Sequence, residues 1–243
     1  MKSQLCLCAL LTFAATNAAD RKEGKVTEPK SSILIEPDQL HKKLKAKNIR
    51  VVDARSSDDY ADGHVPGAIR VDVNDWKKLA VADDGLHDAK GWAENVGSLG
   101  ITSDTHVVVY GGKITDAARI WWLLKYVGVE NASLLNGGWD AWKKADYAVE
   151  TSTPQMRPTE FNPRFQADRL AEIAAVKKSL KSETVKFVDT RSDDEFQDGR
   201  IPGSAQLEWK HLLTDDGLFK TRKQLKELFV KAGISPAHTA VCY

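Results

Sequence analysis

Cysteine thiols and two Asp-x-Arg pairs are the side chains of this sequence with the most chemistry in reach. A thiolate is a strong nucleophile and a soft metal ligand. Cys6 and Cys8 have the spacing of a metal or redox pair, but both lie inside the apolar run 5–15. Cys242 is next to last and stands alone. Asp53-Ala54-Arg55 and Asp189-Thr190-Arg191 each set a carboxylate two residues before a guanidinium. Such a pair either closes on itself and braces a neighbouring loop, or leaves an Arg fork facing an anion. His41, His87, His106, His211 and His238 are scattered without ligand spacing, which predicts no metal site. Gly111-Gly112-Lys113 lacks the spacing of a phosphate-cradling loop.

The elements that position these residues come in two copies. The stretch 52–67 (VDARSSDDYADGHVPG) aligns without a gap on 188–203 (VDTRSDDEFQDGRIPG), at a constant offset of 136. Further on, 99–102 with 107–110 matches 232–235 with 240–243 at an offset of 133. Repetition of this length defines a structural unit present twice. It aligns Cys242 with Val109 and Tyr243 with Tyr110, so Cys242 reads as a strand residue rather than a loop nucleophile. It also puts Arg200 where the first copy has His64, so the His64-Val65-Pro66-Gly67 stretch reads as turn chemistry.

Each copy alternates strand and helix. In the first, 33–35 is a short strand, and Pro37 opens a helix with Leu40 and Leu44 on one face. A buried strand over 50–54 leads into a short helix over 57–62 closed by Gly63. A strand over 68–71, a helix over 90–98 and the β-branched strand 106–110 follow. A helix over 116–127, a strand over 132–135, the turn Asn136-Gly137-Gly138 and a helix over 139–144 complete the unit. This order predicts an α/β fold with a mainly parallel sheet flanked by helices. Residues 151–165, with Pro154, Pro158 and Pro163 and no apolar period, read as a linker.

Composition narrows the class. With 42% hydrophobic and 28% charged residues the chain is an ordinary globular one. Lys2 before the apolar run, then small residues up to Ala19, form the three-part pattern of a secretory signal. Residues 1–19 are therefore expected to be removed and the product exported, periplasmic or secreted, with 20–30 as a solvated extension. Loss of Lys2 takes the formal charge from +1 to zero. That balance argues against nucleic-acid partners, and no membrane association is expected after cleavage.

The pattern Tyr60-x-x-x-His64-Val65-Pro66-Gly67-Ala68, preceded by Asp53-x-Arg55 and followed by Leu135-Asn136-Gly137-Gly138-Trp139-x-x-Trp142, resembles a rhodanese domain. Two such units in tandem resemble the thiosulfate and mercaptopyruvate sulfurtransferases. The resemblance implies rhodanese domains at 31–150 and 166–243. It implies a cysteine in the second unit, at the start of a strand-to-helix loop. That cysteine becomes a persulfide and passes its outer sulfur to cyanide or a thiol, with no cofactor. The first unit has Gly111–Asp116 at this loop and no cysteine, so it reads as non-catalytic. Tyr243 aligns with the last residue before the loop. The nucleophile is thus expected immediately after it, the second unit reads as incomplete, and the 243-residue chain reads as inactive, with Cys242 as the fallback carrier. Asp189 and Arg191 stand as substrate-binding or loop-bracing residues. Expected partners are a small anionic sulfur donor and a cyanide or thiol acceptor, with the protein a monomer. A non-catalytic binding or regulatory module is the alternative.

Overall fold

The β-branched run 106–110 becomes the middle of a five-stranded parallel sheet. A computed structural model describes residues 32–102 and 104–243; the expected signal and extension, with Cys6 and Cys8, lie outside the described residues. The chain divides into two units, one spanning Lys30–Ala167 and the other holding Asp168–Tyr243.

In the first unit the strands are β1 (Leu34–Ile35), β2 (Ile49–Asp53), β3 (Ile69–Arg70), β4 (His106–Tyr110) and β5 (Ala132–Leu135). All neighbours are parallel, in the order β1-β5-β4-β2-β3. The connecting helices are α1 (Pro37–Lys43), α2 (Ser57–Asp62), α3 (Val73–Val81), α4 (Ala89–Ser98), α5 (Ile114–Tyr126) and α6 (Gly138–Lys144). Val108 and Tyr110 join Leu40, Val51, Leu135 and Trp142 in one core cluster. Val107 and Val109 face the other side by strand alternation and are equally buried. A central strand covered on both faces explains why β4 reads as an unbroken apolar run.

The second unit holds β6 (Val185–Asp189), β7 (Ala205–Gln206) and β8 (Thr239–Cys242), parallel in the order β7-β6-β8. Its helices are α7 (Ile173–Ser179), α8 (Asp193–Asp198) and α9 (Arg222–Lys231). The repeat is exact in register: Val52 pairs with Val109, and Val188 with Cys242. Strand β4 has β5 on its second edge, whereas among the described residues no strand pairs with that edge of β8.

Two features of the first unit go beyond the sequence reading. Helix α3 stands where the sequence pattern predicts no element; Asp72 caps it by accepting from the Asn74 and Asp75 N–H groups, and Trp76 and Ala80 bury one face. The Pro-rich segment after 151 is tied to this unit by backbone bonds. Thr159 N–H donates to Gly97 O at 3.0 Å, Arg164 N–H to Val127 O at 2.8 Å and Gln166 N–H to Tyr126 O at 2.8 Å. The segment comes so close to α4 that a Cβ at Gly97 would stand 2.5 Å from Thr159 O. Gly97→Ala should therefore cost about 1–3 kcal/mol through overpacking, despite alanine's better helix propensity. Urea unfolding of the chain measures it; a neutral or stabilising effect would contradict the docked segment.

Candidate functional site at the strand ends

Asp53 closes β2, and the chain then turns into α2, capped by Ser56, whose side chain accepts from Asp59 N–H. This turn folds Arg55 back on Asp53. Arg55 N–H donates to Asp53 Oδ1 at 2.9 Å, and Nη2 donates to Oδ2 at 2.6 Å and to Gly63 O at 2.7 Å. From β4, Tyr110 O–H donates to Asp53 Oδ2 at 2.5 Å and its oxygen accepts Val65 N–H at 3.1 Å. Trp139 covers the guanidinium, 4.1 Å from ring centroid to Cζ. Burial, then the Asp53 charge, pushes the Tyr110 phenol far above its ordinary value, so it stays a proton donor. Burial works against the Arg55 charge, but the hydrogen bonds and charge of Asp53 more than offset it.

The second unit repeats the arrangement. Arg191 N–H and Nε donate to Asp189 Oδ1, both at 3.0 Å, and Nη2 donates to Oδ2 at 2.6 Å and to Gly199 O at 2.7 Å. Tyr243 takes the part of Tyr110: its oxygen accepts Ile201 N–H at 2.9 Å, and its O–H donates to Ser204 Oγ at 2.8 Å. The Arg191 side chain is 26% exposed against 4% for Arg55. Burial opposes the Asp189 charge, but hydrogen bonds from the Arg191 side chain and backbone hold this carboxyl below its usual range.

Both units thus fix the carboxyl ends of adjacent parallel strands, where open α/β sheets take ligands. In the first unit the loop from β4 to α5 is Gly111–Lys113. Gly111 O accepts Trp139 N–H at 3.3 Å, and a Cβ at Gly138, where φ is +57°, would lie 2.6 Å from that oxygen. Only glycine fits this turn against the loop. In the second unit Tyr243 O accepts from Thr190 N–H at 3.1 Å and Thr190 Oγ1 at 3.0 Å. The first unit has only the Ala54 N–H bond to Tyr110 O there. Cys242 lies within β8, half-buried. Asp189 and Arg191 are brought together, with Nε and Nη2 both engaged inside the protein. Sequence reasoning missed the tyrosines as partners of the pair, although Tyr110 and Tyr243 recur at one repeat position. It also missed that His64 is fully buried and stacked on Tyr60.

The profile of the Rhodanese-like domain matches residues 36–145 and 172–243, one stretch in each unit. The chain belongs to the rhodanese family. Among curated relatives, this rhodanese is 30% identical over 205 residues to thiosulfate sulfurtransferase of Bos taurus, covering 74% of this chain and 69% of that protein. It is 27% identical over 226 residues to 3-mercaptopyruvate sulfurtransferase of Escherichia coli K12, covering 82% and 78%. A solved Escherichia coli structure described as a 3-mercaptopyruvate sulfotransferase of rhodanese fold superposes with a TM-score of 0.72 at 25% identity, covering 87% of each chain. These relatives support a sulfurtransferase function for this rhodanese.

The lowered Asp189 carboxyl has a pH signature. A group depressed on folding contributes stability that is present above its unfolded value, about 3.9, and is lost as pH falls through the folded one. Asp189→Asn should cost about 1–3 kcal/mol at neutral pH, and the difference from wild type should shrink steadily below about pH 4. Urea titrations across that range check it; a difference independent of pH would contradict the ion pair.

Proposed function

We propose that this rhodanese moves sulfane sulfur from a small anionic donor, thiosulfate or mercaptopyruvate, to cyanide or a thiol through a cysteine persulfide. The carrier is a cysteine of the complete protein in the loop that follows β8. The observation that carries this reading is the equivalence of Tyr243 and Tyr110. Tyr110 ends β4 and Tyr243 follows β8 directly, each beside its Asp-x-Arg pair, and in the first unit the next residues form the strand-to-helix loop. Backbone N–H groups converge in such a loop, and the helix start is electropositive, which favours a thiolate and an anionic donor.

The chemistry balances without a cofactor. With thiosulfate, the thiolate attacks the outer sulfur, the S–S bond of the donor breaks, and sulfite leaves with the electron pair. Cyanide or a thiolate acceptor then attacks the persulfide's outer sulfur, the new S–S bond breaks, and the enzyme thiolate is restored. Asp189 and Arg191 brace the loop rather than hold the donor; the engagement of Nε and Nη2 within the protein supports this. The first unit, with Gly111–Lys113 in its loop, carries no sulfur. Export as a monomer through the 1–19 signal belongs to the same proposal.

Cys242 is not the carrier in this reading. It pairs with Val188 in the strand register, where the first unit has Val109. The 243-residue chain should form no thiocyanate from thiosulfate and cyanide. The complete protein should form it, and Cys242→Ser should still form it, because the sulfur is carried by the loop cysteine and not by the strand residue. A cyanide-labile persulfide on Cys242 would overturn the assignment.

A further inference from the structure

Thr190, between Asp189 and Arg191, is 2% exposed and tied by both backbone and side chain. Its N–H and its Oγ1 donate to Tyr243 O, at 3.1 and 3.0 Å, and its own carbonyl accepts Trp209 N–H at 3.1 Å. The bond from the N–H is common to both copies, since Ala54 N–H donates to Tyr110 O at 2.8 Å. The bond from the hydroxyl belongs to the second unit alone, because the first has alanine at this position. With Ala54 in place, Arg55 and Tyr110 still close on Asp53, and Arg55 still holds Gly63 O. The Thr190 hydroxyl is therefore not needed to build a strand end, and it stands in the unit to which the sulfur carrier is assigned.

What the hydroxyl can do follows from the peptide it touches. A trans peptide is planar, and its C=O and N–H point in opposite directions. Holding Tyr243 O on Thr190 thus aims the N–H of the following residue away from β6. In the first unit that is the side on which β5 lies and on which Trp139 N–H reaches Gly111 O. A single donor lets the peptide plane rock about one bond, whereas two donors fix it. The negative carbonyl end is then occupied and turned out of the loop, and a positive N–H end enters it. This is the polarity that favours a thiolate and an anionic donor.

We propose, on the basis of the sulfur-transfer reading above, that Thr190 is a positioning residue: its hydroxyl locks the Tyr243 peptide so that the N–H of the next residue points into the carrier loop. It acts through that peptide and exchanges no proton with donor or acceptor. The first unit, which carries no sulfur in that reading, dispenses with the hydroxyl and keeps only the Ala54 N–H bond.

Three variants of the complete protein test this. Thr190→Ala installs the first unit's residue, Thr190→Val keeps the shape without the donor, and Thr190→Ser keeps the donor. Two quantities are measured: thiocyanate formation from thiosulfate and cyanide, and the pH midpoint for alkylation of the carrier thiol by iodoacetamide. The alanine and valine variants should turn over about tenfold more slowly, the worth of one hydrogen bond, with the alkylation midpoint moved to higher pH. Serine should restore both. A role in stability alone would change the urea midpoint and leave the alkylation midpoint in place. Wild-type rate and midpoint in the alanine or valine variant, or a serine variant as slow as valine, would overturn the proposal. If the alanine variant does not fold, valine and serine carry the same comparison. A complete wild-type protein that forms no thiocyanate would overturn the sulfur-transfer reading itself, and Thr190's role with it, before any variant is compared.

Discussion

The bond on which the strand-end architecture depends is the one from Tyr110 to Asp53. A carboxylate at zero exposure is costly unless charge and hydrogen bonds surround it, and here Arg55 and Tyr110 supply both. The three residues come from the end of β2, the turn after it and the end of β4, so satisfying Asp53 fixes how the two strands finish. The remaining bonds spread this order outward. Arg55 holds Gly63 O at the close of α2, and Tyr110 holds Val65 N–H in the following turn. A buried pair of this kind is weak evidence for net stability but strong evidence for a defined geometry, because each partner left alone would be an unpaired buried charge.

The second unit keeps the pair and changes its surroundings. Arg191 is more open than Arg55, and the Tyr243 hydroxyl, beside Asp189, also reaches Ser204 Oγ. Thr190 replaces Ala54 and adds a second donor to the carbonyl of Tyr243. The brace is thus common to both copies, and in the first unit the loop Gly111–Lys113 follows it directly.

Much of this was legible in the sequence where the signal is local. Strands 106–110 and 132–135 and the helix 57–62 stand where the sequence puts them, because a β-branched run, an apolar run and a Ser cap each fix their own boundaries. Helix α3 was legible in principle, through Asp72 as cap and Trp76 and Ala80 one turn apart, but its remaining residues give a weak period. Docking of the 151–166 segment was not legible. It rests on backbone bonds to Gly97, Val127 and Tyr126, and backbone groups leave no side-chain pattern. The Asp-x-Arg pair is visible in the sequence, but the bonds from Nη2 to the carbonyls of Gly63 and Gly199 are not, because their acceptors are backbone groups.

The central claim, that Tyr110 and Asp53 act as one unit in fixing the strand ends, is tested most directly by a double-mutant cycle of Tyr110→Phe and Asp53→Asn in the 243-residue chain. Urea unfolding should give a coupling energy of about 1 kcal/mol or more, as expected for residues that share a buried hydrogen bond. Effects that add to within about 0.3–0.5 kcal/mol, as for independent sites, would contradict it.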